Sequence, residues 1–222
     1  MIIDHTSKAY KKRWESAGLN RYNGAYYYSL EIKKNIIPKI ETDRHWVTVN
    51  IPVHNAVSQF APPCCDHSIV FIHNNMHPEN YAWLKNFKDL ILVCGIPETA
   101  DNMTHLGHAV YLPLSIDVDY VRQFIKPKTK GTAYVGRKAK RDGLNLGDVD
   151  YLEGMPRKEL LSKMAEYEKI MAVGRTALEG LALGCEILPY DERFPDPAVW
   201  KLMDNAEAVP ILQKYIDEID QS

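Results

Sequence analysis

The stretch from Lys169 to Pro189 constrains the fold more than any other part of this chain. It consists of an apolar run, a turn at Gly174, a helix-like segment and a second apolar run. Short apolar runs separated by a turn and a helix are typical of β-α-β units, in which the two strands lie parallel. A helix that opens on a glycine turn leaves backbone N–H groups without helical acceptors. Together with the helix dipole, these groups favour a bound phosphate or diphosphate.

Glu179 lies about one turn into this predicted helix. There its carboxylate is positioned to accept hydrogen bonds from a sugar hydroxyl. The alternative is a plain β-α-β unit in which Glu179 is solvated, and the segment alone leaves both interpretations open.

Length and charge limit what the rest of the chain does. With 222 residues, the chain accommodates one large domain or two small ones. Its 27 basic and 29 acidic residues leave a net charge of −2, which provides no overall attraction to nucleic acid or membranes. The first residues lack the pattern of a signal peptide, in which a basic region is followed by an apolar one. No apolar run approaches the roughly 18 residues of a membrane span. We therefore expect a soluble cytoplasmic protein with no membrane span, whose oligomeric state the sequence leaves open.

The four cysteines do not have the spacing of a zinc site. Two of them, Cys94 and Cys185, lie in apolar strand-like runs where a reduced, buried thiol is the usual state. We accordingly predict neither a metal site nor a disulfide framework.

Strand and helix patterns alternate along the whole chain, which is typical of α/β folds with parallel sheets. In the first half the patterns predict strands over 46–51, 68–73, 90–94 and 109–112, a further candidate over 1–4, and helices over 24–36, 78–86 and 97–106. In the second half they predict strands over 131–136, 149–152, 170–173 and 186–189, and helices over 156–166, after 174, over 196–205 and over 208–219. The polar segment 127–131 contains proline and glycine and is typical of a linker. We predict two small Rossmann-like parallel α/β domains, 1–126 and 127–222, facing a cleft.

Three segments of the second half carry a resemblance to a known family. The segment from Tyr134 to Arg141 is a strand that ends in Gly-Arg and is followed by further basic residues. The segment from Tyr151 to Leu160 is a strand, a glycine loop and a Glu-Leu helix, and the segment from Gly174 to Gly184 is a glycine turn and a helix. In this order and spacing they resemble the nucleotide-sugar-binding domain of GT-B glycosyltransferases. They are most like the retaining family that includes sucrose synthase and many bacterial hexosyltransferases.

The resemblance implies a set of residues that bind a nucleotide sugar. They are Gly24, Gly136, Arg137, Lys140, Arg141, Met155, Gly174, Arg175, Thr176 and Glu179. Glu179 would hold the ribose, and the base would lie beside the loop that contains Met155. Cations next to a diphosphate leaving group stabilise the negative charge that develops as the glycosidic bond breaks. Arg137, Lys140 and Arg141 would supply this charge, with a solvated basic loop as the alternative, and Arg175 would contact the diphosphate or cap the turn.

The first half resembles the acceptor-side domain of the same fold. The segment from Asn23 to Ile32 is similar to its glycine turn and long helix, and the segment from Phe71 to Asn75 is similar to a strand that ends in a polar cluster. His73 in that cluster would face the reacting sugar as the catalytic residue. The alternative is a histidine that closes the strand by bonding to backbone.

Taken together, the resemblance implies a glycosyltransferase that moves a sugar from a UDP- or GDP-linked donor to an acceptor, with retention and without a metal or other cofactor. The acceptor is open: a polysaccharide, a small molecule, a protein or modified DNA. The family often has a pair of glutamates separated by seven residues, and Met171 stands at the position of the first. Two alternatives remain, namely a non-catalytic binding protein with the same fold and a sugar-nucleotide epimerase.

Overall fold

A computed structural model describes residues 2–4, 24–49, 66–72 and 84–222. These residues form an α/β fold that contains two parallel sheets, one of five strands and one of four. The predicted fold class is thus confirmed at the level of parallel α/β architecture. Among the described helices, none combines the length and apolar character that crossing a bilayer demands.

The first sheet has the strand order β1-β2-β3-β4-β5, which is also the order along the chain. Its strands are β1 (Ile2–Asp4), β2 (His45–Val49), β3 (Ser68–Ile72), β4 (Leu90–Cys94) and β5 (His108–Tyr111). Every residue of β3 and β4 is buried, because strands covered on both faces are continuous apolar runs rather than alternating ones. Val47, Val70 and Leu92 occupy one row across the sheet and form the centre of the core.

Two helices of the first half are described. Helix α1 (Gly24–Glu31) continues into a π-helical turn over Ile32–Ile36 and a 3-10 turn over Ile37–Lys39. Helix α2 (Pro97–Met103) begins with a proline and has Glu98 in its first turn, the boundary chemistry that the sequence indicates. Of the helix predicted over 78–86, only residues 84–86 are described, as a 3-10 turn.

The second sheet has the order β7-β6-β8-β9. Its strands are β6 (Lys130–Val135), β7 (Asp150–Leu152), β8 (Tyr167–Met171) and β9 (Glu186–Leu188). The helices that accompany it are α3 (Val118–Arg122), α4 (Lys138–Arg141), α5 (Arg157–Met164) and α6 (Arg175–Ala182). Gly180 lets α6 lie close to the sheet, because a Cβ atom there would come within 2.2 Å of Ile170 Cδ1.

The two helices predicted to close the chain have different outcomes. Helix α7 (Asn205–Asp220) includes the predicted helix over 208–219. The prediction of a helix over 196–205 is wrong, because a 3-10 turn over Pro197–Val199 is followed by Trp200 in an extended conformation with a buried side chain.

The chain divides by its contacts into two compact units. Among the described residues, unit 1 contains 2–4, the described part of 29–113, and 206–222, whereas unit 2 contains 24–28 and 114–205. In this grouping the chain changes unit after Pro113, and nearly all of α7 belongs to unit 1, whereas the domain boundary at residue 127 stays a prediction. Residues 114–126 lie in unit 2 partly because Ile116 exchanges backbone hydrogen bonds with Met203 and Asn205, at 3.1 and 3.0 Å.

Candidate ligand-binding site at the edge of the second sheet

The order of strands in the second sheet reverses between β6 and β8. From β6 the chain passes through α4 to β7 on one side, whereas from β8 it passes through α6 to β9 on the other. In open parallel sheets, ligands bind outside the carboxyl ends of the strands at such a reversal. The described strands of the first sheet follow one another in chain order and contain no reversal. The candidate site therefore lies at the carboxyl ends of β6 and β8.

Gly174 forms the turn between β8 and α6. Its φ of 62° and ψ of −138° are open to glycine and strained for any residue with a Cβ atom. A Cβ atom here would meet no atom within 4 Å, so the backbone conformation, and not crowding, calls for glycine. The amino end of α6, with the positive end of its dipole, thus lies at the reversal of strand order.

The turn after β6 contains Gly136 and Arg137. The Tyr134 hydroxyl donates a hydrogen bond to the Arg137 carbonyl at 2.9 Å, and a Cβ atom on Gly136 would lie only 2.5 Å from that hydroxyl oxygen. The packing of Tyr134 therefore explains why this position needs a glycine. The Arg137 side chain is exposed, directly before α4.

The other two predicted cations, Lys140 and Arg141, are half-buried against aromatic rings. Arg141 Nε donates to Glu153 Oε1 at 2.6 Å, and its guanidinium lies 4.2 Å from the Tyr151 ring centroid. Lys140 Nζ lies 5.1 Å from the centroid of Phe194. Burial and the nearby charge of Arg137 lower the pKa of Lys140. Of the three cations, Arg137 is thus the one exposed to a ligand.

Glu179 is fully buried, so the alternative of a solvated carboxylate is wrong. Its Oε1 atom accepts hydrogen bonds from Arg157 Nε at 3.1 Å and from Arg175 Nε at 3.0 Å, and Arg157 Nη2 lies 2.9 Å from the same oxygen. Within the described part of the chain, its Oε2 atom has no hydrogen-bond partner. The guanidinium of Arg175 therefore forms an ion pair with Glu179, which lies one turn further along the same helix.

The remaining predicted residues are Thr176, Gly24, Met155 and His73. Thr176 is half-buried in the first turn of α6, and Gly24 is the first residue of α1. Met155 lies after β7 and lines a surface groove of about 290 Å³. The charged groups of that groove are largely paired: Lys130 with Glu166 at 2.9 Å, and Asp150 with the Tyr167 hydroxyl at 2.7 Å. His73 lies outside the described residues.

Sequence reasoning assigned no role to Arg157, the first residue of α5. The position of Arg157 is itself informative, because a cation in the first turn of a helix opposes the helix dipole and is disfavoured unless an anion lies nearby. Arg175 stands at the same position of α6. The structure shows that both arginines pair with one carboxylate, that of Glu179.

No known protein family, curated protein or solved structure matches this chain. Within the described ranges there is no group of three or more His, Cys, Asp or Glu side chains that could hold a metal ion. What the edge of the second sheet offers is an exposed arginine, the amino end of a helix and a buried carboxylate oxygen. These groups suit a ligand with both an anionic part and hydroxyl donors.

Proposed function

We propose that this protein binds a nucleotide diphosphate sugar at the carboxyl edge of the second sheet and transfers the sugar to an acceptor, in the manner of a GT-B glycosyltransferase. The observation that carries the proposal is the reversal of strand order between β6 and β8. The turns after these strands contain Arg137 and Gly174, two residues that the sequence resemblance implies for the donor site.

The diphosphate would lie between Arg137 and the amino end of α6. Backbone N–H groups and the dipole at a helix start attract phosphate, and an exposed arginine provides a geometry suited to phosphate oxygens. Both groups would stabilise the leaving nucleoside diphosphate more strongly as its charge develops.

The ribose would lie over α6. Oε1 of Glu179 is already held by two guanidinium groups, so Oε2 is the acceptor for a ribose hydroxyl. Because Glu179 is fully buried, the side chains over the first turn of α6 must move when the nucleotide enters. The family resemblance implies that the transferred sugar reacts with retention.

A second candidate function is nucleotide-sugar binding without transfer. It is favoured by Met171, the last residue of β8, which occupies the position where the related family often has a glutamate near the transferred sugar. Release of free nucleoside diphosphate from a panel of UDP- and GDP-sugars separates the two functions. Binding without release supports the second.

Calorimetric titration of the full chain with UDP and GDP tests the site itself. We expect Arg137→Ala to weaken binding of the preferred nucleotide by about tenfold or more, because hydrogen bonds to charged groups contribute about 1.5–3 kcal/mol. Lys138→Ala is the matched control: the residue is adjacent, exposed and of the same charge. Absence of nucleotide binding in the wild type, or equal losses in both variants, would overturn the proposal.

A further inference from the structure

Arg157 is held from several sides at the start of α5. Its side chain is 9% exposed. The guanidinium carbon lies 4.9 Å from the ring centroid of Tyr27 in α1 and 4.8 Å from that of Tyr120 in α3. Cations this close to aromatic ring faces are attracted to them, most strongly when they are shielded from water. The two rings therefore restrict where the guanidinium can point.

The guanidinium points at Glu179. Arg157 Nε and Nη2 lie 3.1 and 2.9 Å from Glu179 Oε1, the same oxygen that accepts from Arg175 Nε at 3.0 Å. Two arginines on one oxygen fix the carboxylate rotamer. The second oxygen, Oε2, is left without a hydrogen-bond partner in the described ranges.

This arrangement is not the one that stability alone favours. Both arginines occupy first-turn positions that oppose a helix dipole. Buried ion groups are often replaced by apolar side chains without loss of stability, and a buried acceptor without a partner is unfavourable. An ionised carboxylate accepts hydrogen bonds and donates none, so the group that completes the site is a hydrogen-bond donor, as a sugar hydroxyl is, and not a phosphate.

We propose that Arg157 is a positioning residue, which holds the Glu179 carboxylate so that Oε2 accepts a hydrogen bond from a ribose hydroxyl of the bound nucleotide. This inference rests on the proposed function, and it adds a specificity: the site selects ribonucleotides over deoxyribonucleotides. Arg157 acts through Glu179 and does not contact the nucleotide.

The test compares affinities for three ligands, measured by calorimetry on the full chain: the nucleotide that the wild type prefers, UDP or GDP, and its 2′-deoxy and 3′-deoxy analogues. In the wild type, we expect at least one deoxy analogue to bind about tenfold more weakly, the usual loss for a hydrogen bond to a charged group. The measured quantity is the ratio of the affinity for the nucleotide to the affinity for that deoxy analogue. In Arg157→Gln this ratio falls toward one, because the affinity for the nucleotide falls whereas the affinity for the analogue changes little. Glu179→Gln lowers the ratio in the same way, and the double variant lowers it no further.

Arg122→Gln is the control, since Arg122 is an exposed arginine on α3 and its loss should leave the ratio unchanged. Far-UV circular dichroism and thermal melting establish whether each variant folds. If Arg157→Gln does not fold, Tyr120→Leu tests the positioning role in its place. This substitution removes one of the two rings that contact Arg157 but leaves the ion pair with Glu179, and we expect its affinity ratio to be smaller than that of the wild type.

The outcomes separate the two proposals. A folded Arg157→Gln with the wild-type ratio refutes the positioning role. A wild type that binds the nucleotide and its deoxy analogues equally well overturns this inference and leaves the proposed nucleotide site intact. A wild type that binds neither UDP nor GDP overturns the proposed function, and the inference with it.

Discussion

At the residue scale, the strained turn at Gly174 gives the sharpest prediction. We expect Gly174→Ala to lower the free energy of unfolding by about 1–3 kcal/mol, because a side chain is strained at φ 62° although nothing would touch its Cβ. Gly131→Ala is the control: its Cβ would also meet nothing within 4 Å, and its φ lies outside the positive region. Urea denaturation of both variants measures the difference. Equal stabilities would mean that the backbone at Gly174 relaxes.

Single residues also mark where sequence reasoning reached its limit. Gly174 and Glu179 were found because a glycine turn and a helix are local patterns, readable from consecutive residues. The contact of Arg157 with Glu179 joins residues 22 positions apart, and the stacking of Tyr27 on Arg157 joins two distant helices. Contacts of this kind depend on how α1, α3, α5 and α6 pack, which no local pattern specifies.

At the scale of elements, the segments that lead into β2, β3 and β4 are linked by a charged cluster. His67 Nε2 lies 3.0 Å from Asp43 Oδ1, and His67 Nδ1 lies 2.5 Å from Asp89 Oδ2. Hydrogen bonds to Asp89 and Asp43 raise the pKa of His67. Hydrogen bonding to His67 lowers the pKa of Asp43, and bonds to His67 and Arg44 lower that of Asp89 despite its desolvation. The cluster thus favours a protonated His67 between two carboxylates.

This cluster predicts a pH dependence of stability. The stabilisation by protonated His67 is complete below its unfolded pKa of about 6.5 and is lost as the pH rises through its higher folded pKa. The carboxylates contribute in the opposite sense, losing their stabilisation as the pH falls through their lowered folded pKa values. We therefore expect the free energy of unfolding, measured by urea denaturation, to fall as the pH rises above about 6.5, and only by a small amount because the pairs are exposed.

The control for this titration is His67→Gln, which should flatten the decline above pH 6.5. A decline of the same size in the variant would assign the effect to other groups.

Elements also differ in how far the sequence predicts them. Strands β3 and β4 are evident as apolar runs, because a parallel strand buried on both faces has no alternation. In β6 and β8, charged residues such as Lys130 and Glu168 are exposed, and only part of each strand is buried. In place of the helix predicted over 196–205, a 3-10 turn is followed by an extended Trp200 whose side chain is buried, a tertiary contact that local helix signals do not contain. Likewise, Tyr190 and Phe194 follow β9 but pack toward Tyr134 on β6, with centroids 5.3 Å apart in each successive pair.

At the scale of the whole molecule, the C-terminal helix decides how the chain is partitioned. Ala208, Leu212 and Ile216 form a buried stripe on α7, and Asp220 near its end lies 2.6 Å from the buried guanidinium of Arg44 in unit 1. Sequence order alone suggested that α7 belongs with the second sheet, since it follows that sheet directly. The contact grouping places residues 206–220 of this helix in unit 1, and the domain boundary at residue 127 stays a prediction.

Hydrogen exchange distinguishes these two partitions. Leu212→Ala should destabilise the unit that contains α7 by about 2–5 kcal/mol, because it leaves a cavity in a fully buried position. If α7 belongs to unit 1, exchange of the most protected amides in β2, β3 and β4 rises by more than about tenfold, while that of β6 and β8 stays unchanged. Lys214→Ala, on the same helix but 74% exposed, should change neither sheet. Faster exchange confined to β6 and β8 would instead favour the boundary at residue 127, because a local loss of stability spreads only through the unit that shares its core.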